Sequence, residues 1–176
     1  MFKTIGIILV VAIAALLIYA STRPDRFQVQ RSATIKAPPE KLFAQIDTLG
    51  AWQKWSPYEK YDAAMKRSYE GPASGKGAAY AWDGNSKVGA GRMEIIESVP
   101  SSKVVFKLDF LRPFEGHNTA TFTLVPVGDS TTLTWAMDGP APYISKLMGI
   151  FFDMDEMIGK DFADGLANLK TQNEGA

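Results

Sequence analysis

The sequence predicts an α+β protein: a curved antiparallel sheet of about seven strands wrapped around one long carboxy-terminal helix, with a separate apolar helix at the amino terminus. Three observations carry this expectation. Pro142 to Lys170 places apolar residues at three-and-four spacing, Met65 to Met137 falls into short alternating runs punctuated by turn residues, and Ile5 to Ala20 contains no charged residue. Consecutive strands with helices set apart from them define the α+β class. A meander with one apolar face must bury that face, and the terminal helix, on the order of 40 Å long, is the only partner of sufficient length.

Composition narrows the function classes. The 176 residues suit one domain with an appendage. With 19 basic and 19 acidic residues the chain has no formal net charge, which argues against a nucleic-acid binder. It contains no cysteine, so disulfides and thiolate metal sites are excluded, and with a single histidine a histidine-rich zinc site is not expected. No metal or cofactor is expected. Seven Met, ten Phe, four Trp and six Tyr suit an apolar cavity or an ordinary core equally.

At the amino terminus, residues 1–21 read as a transmembrane anchor or signal-anchor. The apolar run approaches the roughly 17–25 residues that cross a bilayer, with Tyr19 where an interfacial aromatic belongs. A cleaved signal is the competing reading. It is disfavoured because the run exceeds the usual ~7–15 residues and Ile18-Tyr19-Ala20 matches a small-x-small cleavage site poorly. Lys3 favours a cytoplasmic amino terminus and an extracytoplasmic domain, whereas Arg23, Arg26 and Arg31 pull the other way. Residues 22–26 form a linker, 27–172 the globular domain and 173–176 a disordered tail.

Within the domain, Phe27 to Lys36 alternates as a half-buried strand in which only Arg31 breaks the apolar face. Ala37-Pro38-Pro39-Glu40 ends it and opens a helix with a Leu42, Phe43, Ile46, Leu49 stripe, stopped by Gly50. The aromatic segment Trp52 to Tyr58 either packs onto the sheet end or lines a cavity mouth. Strands are then expected over Met65–Glu70, Gly77–Trp82, Val88–Val99, Lys103–Leu111, His117–Val125 and Thr131–Met137. Asp83-Gly84-Asn85 marks a tight turn, and Gly89 and Gly91 mark a bulge or a close backbone approach.

Several motifs together resemble the START-like (SRPBCC) superfamily, and within it the polyketide cyclase/dehydrase and lipid-transport group. They are Ala37-Pro38-Pro39-Glu40-Lys41-Leu42-Phe43, Trp52-Gln53-Lys54-Trp55-Ser56-Pro57-Tyr58, Tyr69-Glu70-Gly71 with Gly77-Ala78, Trp82, Gly89 and Gly91, Thr132-Leu133-Thr134-Trp135, and Asp164 to Lys170. The resemblance implies a helix-grip fold with a deep apolar cavity between sheet and helix that holds a hydrophobic small molecule or lipid. It transfers no catalytic residue. A cyclase- or dehydratase-type enzyme using the same cavity, and an interaction module at the membrane, stay open as alternatives.

Strand parity and helix spacing nominate the cavity residues. Met93, Ile95, Phe106, Leu108, Phe110, Phe122, Trp135 and Met137 come from strands, and Met148, Phe151, Phe152 and Phe162 from the helix. Trp52, Trp55, Tyr80 and Trp82 are expected at its mouth. Arg31 on an inward parity, and Glu94, are the polar candidates. Arg31 is expected either to meet an acidic head group or to snorkel out at the sheet end. His117 falls on the outer face by parity, which leaves a Ser-His-Asp hydrolase without its base. Asp153, Asp155 and Glu156 point about 100° apart on a helix and read as a solvated face.

Overall fold

The computed structural model describes residues 2–175. Helix α1 (Phe2–Ser21) precedes strand β1 (Arg26–Ile35), helix α2 (Pro39–Asp47), a 3-10 turn (Leu49–Lys54) and the short helix α3 (Pro57–Tyr61). Six strands follow: β2 (Lys66–Glu70), β3 (Ala79–Asp83), β4 (Ala90–Val99), β5 (Lys103–Arg112), β6 (Gly116–Val127) and β7 (Ser130–Pro140). Helices α4 (Tyr143–Met148) and α5 (Met154–Glu174) complete the chain. The seven strands form one antiparallel sheet in the order β1-β7-β6-β5-β4-β3-β2, so the first strand closes beside the last. Lys3–Ser21 is long and apolar enough to cross a membrane, as a signal sequence would also be.

The sheet follows from the alternation. In β7 every second residue is buried, and Leu133, Trp135 and Met137 face the core while Thr132 and Thr134 face out. Their hydroxyls meet those of Thr34 (3.1 Å) and Ser32 (2.8 Å) on β1, satisfying a polar outer face. In β4 the register against β5 shifts between Ile95 and Glu97, and this bulge turns both Ile96 and Glu97 outward. Glu94 and Glu97 therefore share the outer face, unlike the opposite faces of a regular strand, and the inserted residue bends the strand. The close approach expected at Gly91 exists: a side chain there would collide with the Trp82 ring.

Three expectations are corrected. Pro142 to Lys170 is not one helix; it breaks after Gly149, and α5 restarts where the Asp153 carboxylate accepts the Glu156 amide at 3.0 Å. A side-chain N-cap followed by Asp155 and Glu156 in the first turn fits the positive end of the helix dipole. Asn173 and Glu174 are not part of a disordered tail but the last turn of α5. Asn173 exchanges two amide bonds with Gln45, and Glu174 accepts the Lys36 amide at 2.7 Å. Gly50 does not end α2, which stops at Asp47, but sits inside the 3-10 turn.

Helix α5 grips the sheet through an aromatic stack. Phe162 lies parallel to Trp135 with ring centroids 4.2 Å apart, and Trp135 in turn stacks on Phe122 at 4.9 Å. Trp52 and Trp55 complete the cluster, their indole N–H groups donating to the Ile46 carbonyl (2.8 Å) and the Gln45 carbonyl (3.1 Å). Both tryptophans thus carry their polar atom to a partner, as burial requires. Helix and sheet come this close because of Gly165, where an added Cβ would stand 2.8 Å from Cζ3 of Trp135. We expect Gly165→Leu to cost about 1–3 kcal/mol by overpacking. Thermal unfolding should show a Tm lower by about 2–4 °C per kcal/mol. Gly50→Ala, at a position with nothing within 4 Å, should leave Tm nearly unchanged.

Candidate functional site

A cavity of about 760 Å³ lies between the concave face of the sheet, α3 and the first half of α5. Its walls are Met93, Phe106, Leu108, Phe110, Trp135 and Met137 from the strands and Ile158 and Phe162 from α5, with Trp52, Tyr80 and Trp82 also exposed to it. Strand parity aims these side chains inward, and the curvature of the sheet keeps α5 from filling the space they enclose. Apolar walls of this extent with few polar groups are the usual make-up of a small-molecule pocket.

The remaining nominated residues lie elsewhere. Phe122, Ile95 and Trp55 are fully buried, with Phe122 and Trp55 in the aromatic cluster, so Trp55 is core and not mouth. Met148, Phe151 and Phe152 do not line the cavity. The break after Gly149 turns them outward, leaving Phe151 at 65% and Phe152 at 54% of full exposure. Arg31 points inward as its parity requires and then leaves the sheet to bind Asp155, with contacts of 2.9 and 3.2 Å to the carboxylate and 3.0 Å to its carbonyl. That bond holds the Asp155 carboxyl below its ordinary range and leaves no guanidinium in the cavity. Glu94 sits on the outer face paired with Arg92 at 2.8 Å.

The cavity carries polar groups that the sequence did not single out. Glu59 of α3 reaches it with a side chain only 7% exposed, and accepts hydrogen bonds from Arg67 Nε and the Tyr80 hydroxyl, both at 2.7 Å. A buried carboxylate needs such partners; here they come from β2 and β3. Burial, then the Glu59 carboxylate, pushes the Tyr80 phenol well above its ordinary range. Opposite, Tyr61 donates to Asp161 at 2.6 Å, and that bond together with desolvation pushes its phenol up to about 12. Tyr58, on the cavity wall, is pushed higher still, by burial first and by Asp161 second. Asn118 enters from β6 against Gly139 with no hydrogen-bond partner among the described residues.

His117 stands at the cavity rim, mostly exposed as its outward parity predicts, with Nδ1 2.7 Å from Asp109. Burial would raise the Asp109 carboxyl, but hydrogen bonds from His117 and Lys107 outweigh it and hold the group below its ordinary range.

This architecture, an antiparallel sheet closed around a carboxy-terminal helix with a cavity between them, is the START-like helix-grip fold. The chain belongs to the polyketide cyclase/dehydrase and lipid transport family, whose profile matches residues 26–174. Among solved structures it is similar to a protein from Chromobacterium violaceum (17% identity, TM-score 0.60, covering 88% of this chain and 100% of that one). It is likewise similar to the Aha1 dimer from Colwellia psychrerythraea (18%, TM-score 0.62, 85% and 97%). A third is the di-domain ARO/CYC StfQ from the steffimycin biosynthetic pathway (12%, TM-score 0.64, 85% and 51%). These likenesses establish the fold. No curated protein matches the sequence.

The phenols supply a test of the cavity's polar end. Unfolded tyrosines ionise near pH ~10, whereas Tyr61 is held to about 12 and Tyr58 and Tyr80 are raised further. The folded state retains these protons longer, so the stabilisation is complete below pH ~10 and is lost as pH rises through the folded values. Ultraviolet titration should show Tyr61 ionising near pH 12. In Asp161→Asn its midpoint should move down toward the ordinary value.

Proposed function

We propose that the protein is a membrane-tethered module that binds a lipid or other hydrophobic small molecule in the cavity between sheet and α5. The observation that carries this reading is the cavity itself: about 760 Å³ of space bounded by Met, Leu, Phe and Trp side chains, in a domain already well packed around Trp52, Trp55 and Phe122. An unfilled volume of that size lies within the ~300–1,000 Å³ of ordinary ligand pockets. Asn118, Ser56 and the Tyr58 phenol offer hydrogen bonds to one polar group on an otherwise apolar ligand. Glu59 and Asp161 are engaged by protein partners, which favours holding a ligand over proton transfer to it. Helix α1, with its side chains exposed over nearly the whole span, fits a retained single-pass anchor. Lys3, in the first turn of α1, supports placing the domain outside the cytoplasm, against the pull of Arg23 and Arg26 beyond the helix.

Native mass spectrometry of the full chain released from mild detergent tests the reading. A reproducible small-molecule adduct is expected, together with binding of a fluorescent apolar probe. Leu108→Trp, which fills the cavity from β5, should weaken the probe at least about tenfold, or ~1.4 kcal/mol, with the fold retained by circular dichroism. An empty protein that ignores the probe would sink the proposal.

A further inference from the structure

The connection between α4 and α5 carries an apolar surface that nothing in the domain covers. Ile144, Met148, Phe151, Phe152, Met154 and Met157 are all exposed, Met157 at 58%. Across the cavity opening, Leu111 at the end of β5 and Phe114 in the turn that follows are equally bare, Phe114 at 64%. Phe114 and Met154 also line the cavity, so the two patches flank its entrance. Two of the elbow's three carboxylates are engaged by the protein, Asp153 capping α5 and Asp155 holding Arg31, while Glu156 faces out beside Met157. An apolar patch of this kind marks an interaction site.

Helix α1 indicates what covers it. The Tyr143 hydroxyl, at the start of α4, donates to the Leu17 carbonyl in the last turns of α1 at 2.9 Å. Lys146 of α4 pairs with Asp25 in the short connection from α1 to β1. Asp25, Pro142 and Ser145 are themselves cavity-wall residues. The end of the apolar helix, the bare elbow and the cavity entrance therefore lie together on one side of the molecule. Lys146 is engaged by Asp25 and Arg112 by Asp83, Lys87 on the cavity wall has no carboxylate partner among the described residues, and the patch residues themselves are apolar, so the patch suits acyl chains.

We propose that the α4–α5 elbow, with Phe114 opposite it, dips into the face of the bilayer that holds α1, so that the cavity opens onto the acyl region and takes its ligand from the membrane without passage through bulk water. Insertion to ~5–10 Å, as for interfacial helices, would submerge Phe151, Phe152 and Met157. The inference rests on the reading of α1 as a retained span and of the cavity as a ligand site, and it identifies the ligand as a molecule dissolved in the bilayer.

The absence of native cysteine makes single-site spin labelling direct. The full chain in phosphatidylcholine vesicles would carry one label at Phe152→Cys, Met157→Cys, Leu9→Cys within α1, or Thr123→Cys on the exposed outer face of β6. Collision rates with oxygen and with a water-soluble nickel complex report the surroundings. Labels at 152 and 157 should favour oxygen, as at 9, and the label at 123 should favour nickel. Aqueous behaviour at 152 and 157 with a lipid-like label at 9 would overturn the elbow insertion and leave the anchor standing. An aqueous label at 9 would remove the anchor, and the inference with it. Loading of a vesicle-dissolved fluorescent probe should slow at least about tenfold, a barrier change of ~1.4 kcal/mol, in the Phe151→Ser, Phe152→Ser double variant, at unchanged affinity in micelles. Equal loading rates would overturn the route while leaving cavity binding intact.

Discussion

The stack of Phe162 on Trp135 is the contact on which the rest of the molecule depends. It fixes how near α5 stands to β7, and Gly165 is the residue that lets it form. Burial of each large aromatic contributes roughly 1.5–3 kcal/mol, and the geometry of the stack adds about 0.5–1.5 kcal/mol more. Below it Phe122 and Trp55 are fully buried and Trp52 nearly so. Toward the amino-terminal end of α5 no comparable stack bridges helix and sheet among the described residues, and the cavity begins. Tight packing at one end and space at the other arise from one helix laid across a bent sheet.

Polar groups obey the same division. At the packed end, Asn168 donates to the Trp55 carbonyl, closing a backbone group that burial would leave unsatisfied, and at the surface Lys170 donates to the Thr34 carbonyl. At the open end, Glu59 is matched by Arg67 and Tyr80, and Asp161 by Tyr61, while Lys87 and Glu115 stand exposed on the lining. Most of the rest of the lining is apolar surface with a few neutral hydrogen-bonding atoms. A ligand entering it would be selected mainly by shape and hydrophobicity.

Much of this was readable from the residues. Alternation located every strand to within a few positions, because each strand buries one face, and the same parity placed Met93, Phe106, Phe110, Trp135 and Met137 on the cavity wall. The helix was less legible. Apolar spacing runs unbroken through Gly149 to Asp153, so Phe151 and Phe152 seemed to continue an inward stripe that the backbone in fact abandons. Arg31 was conspicuous by parity, but its partner Asp155 lies 124 residues away and carries no local mark. Glu59 was missed for a related reason. Its five-residue helix has no periodicity to read, and its burial is decided by side chains from β2 and β3.

The sheet order has a consequence for how the chain is made. Because β1 closes against β7, Ser32 must wait for Thr134, 102 residues later, before its hydroxyl finds its partner. Contacts so distant in sequence slow folding. During synthesis the first strand is therefore an unpaired edge held a few residues from α1, its apolar face open beside whatever surface α1 occupies. The domain becomes a closed object only when nearly all of it exists, and a chain truncated before β7 would keep that edge available for pairing with a neighbour.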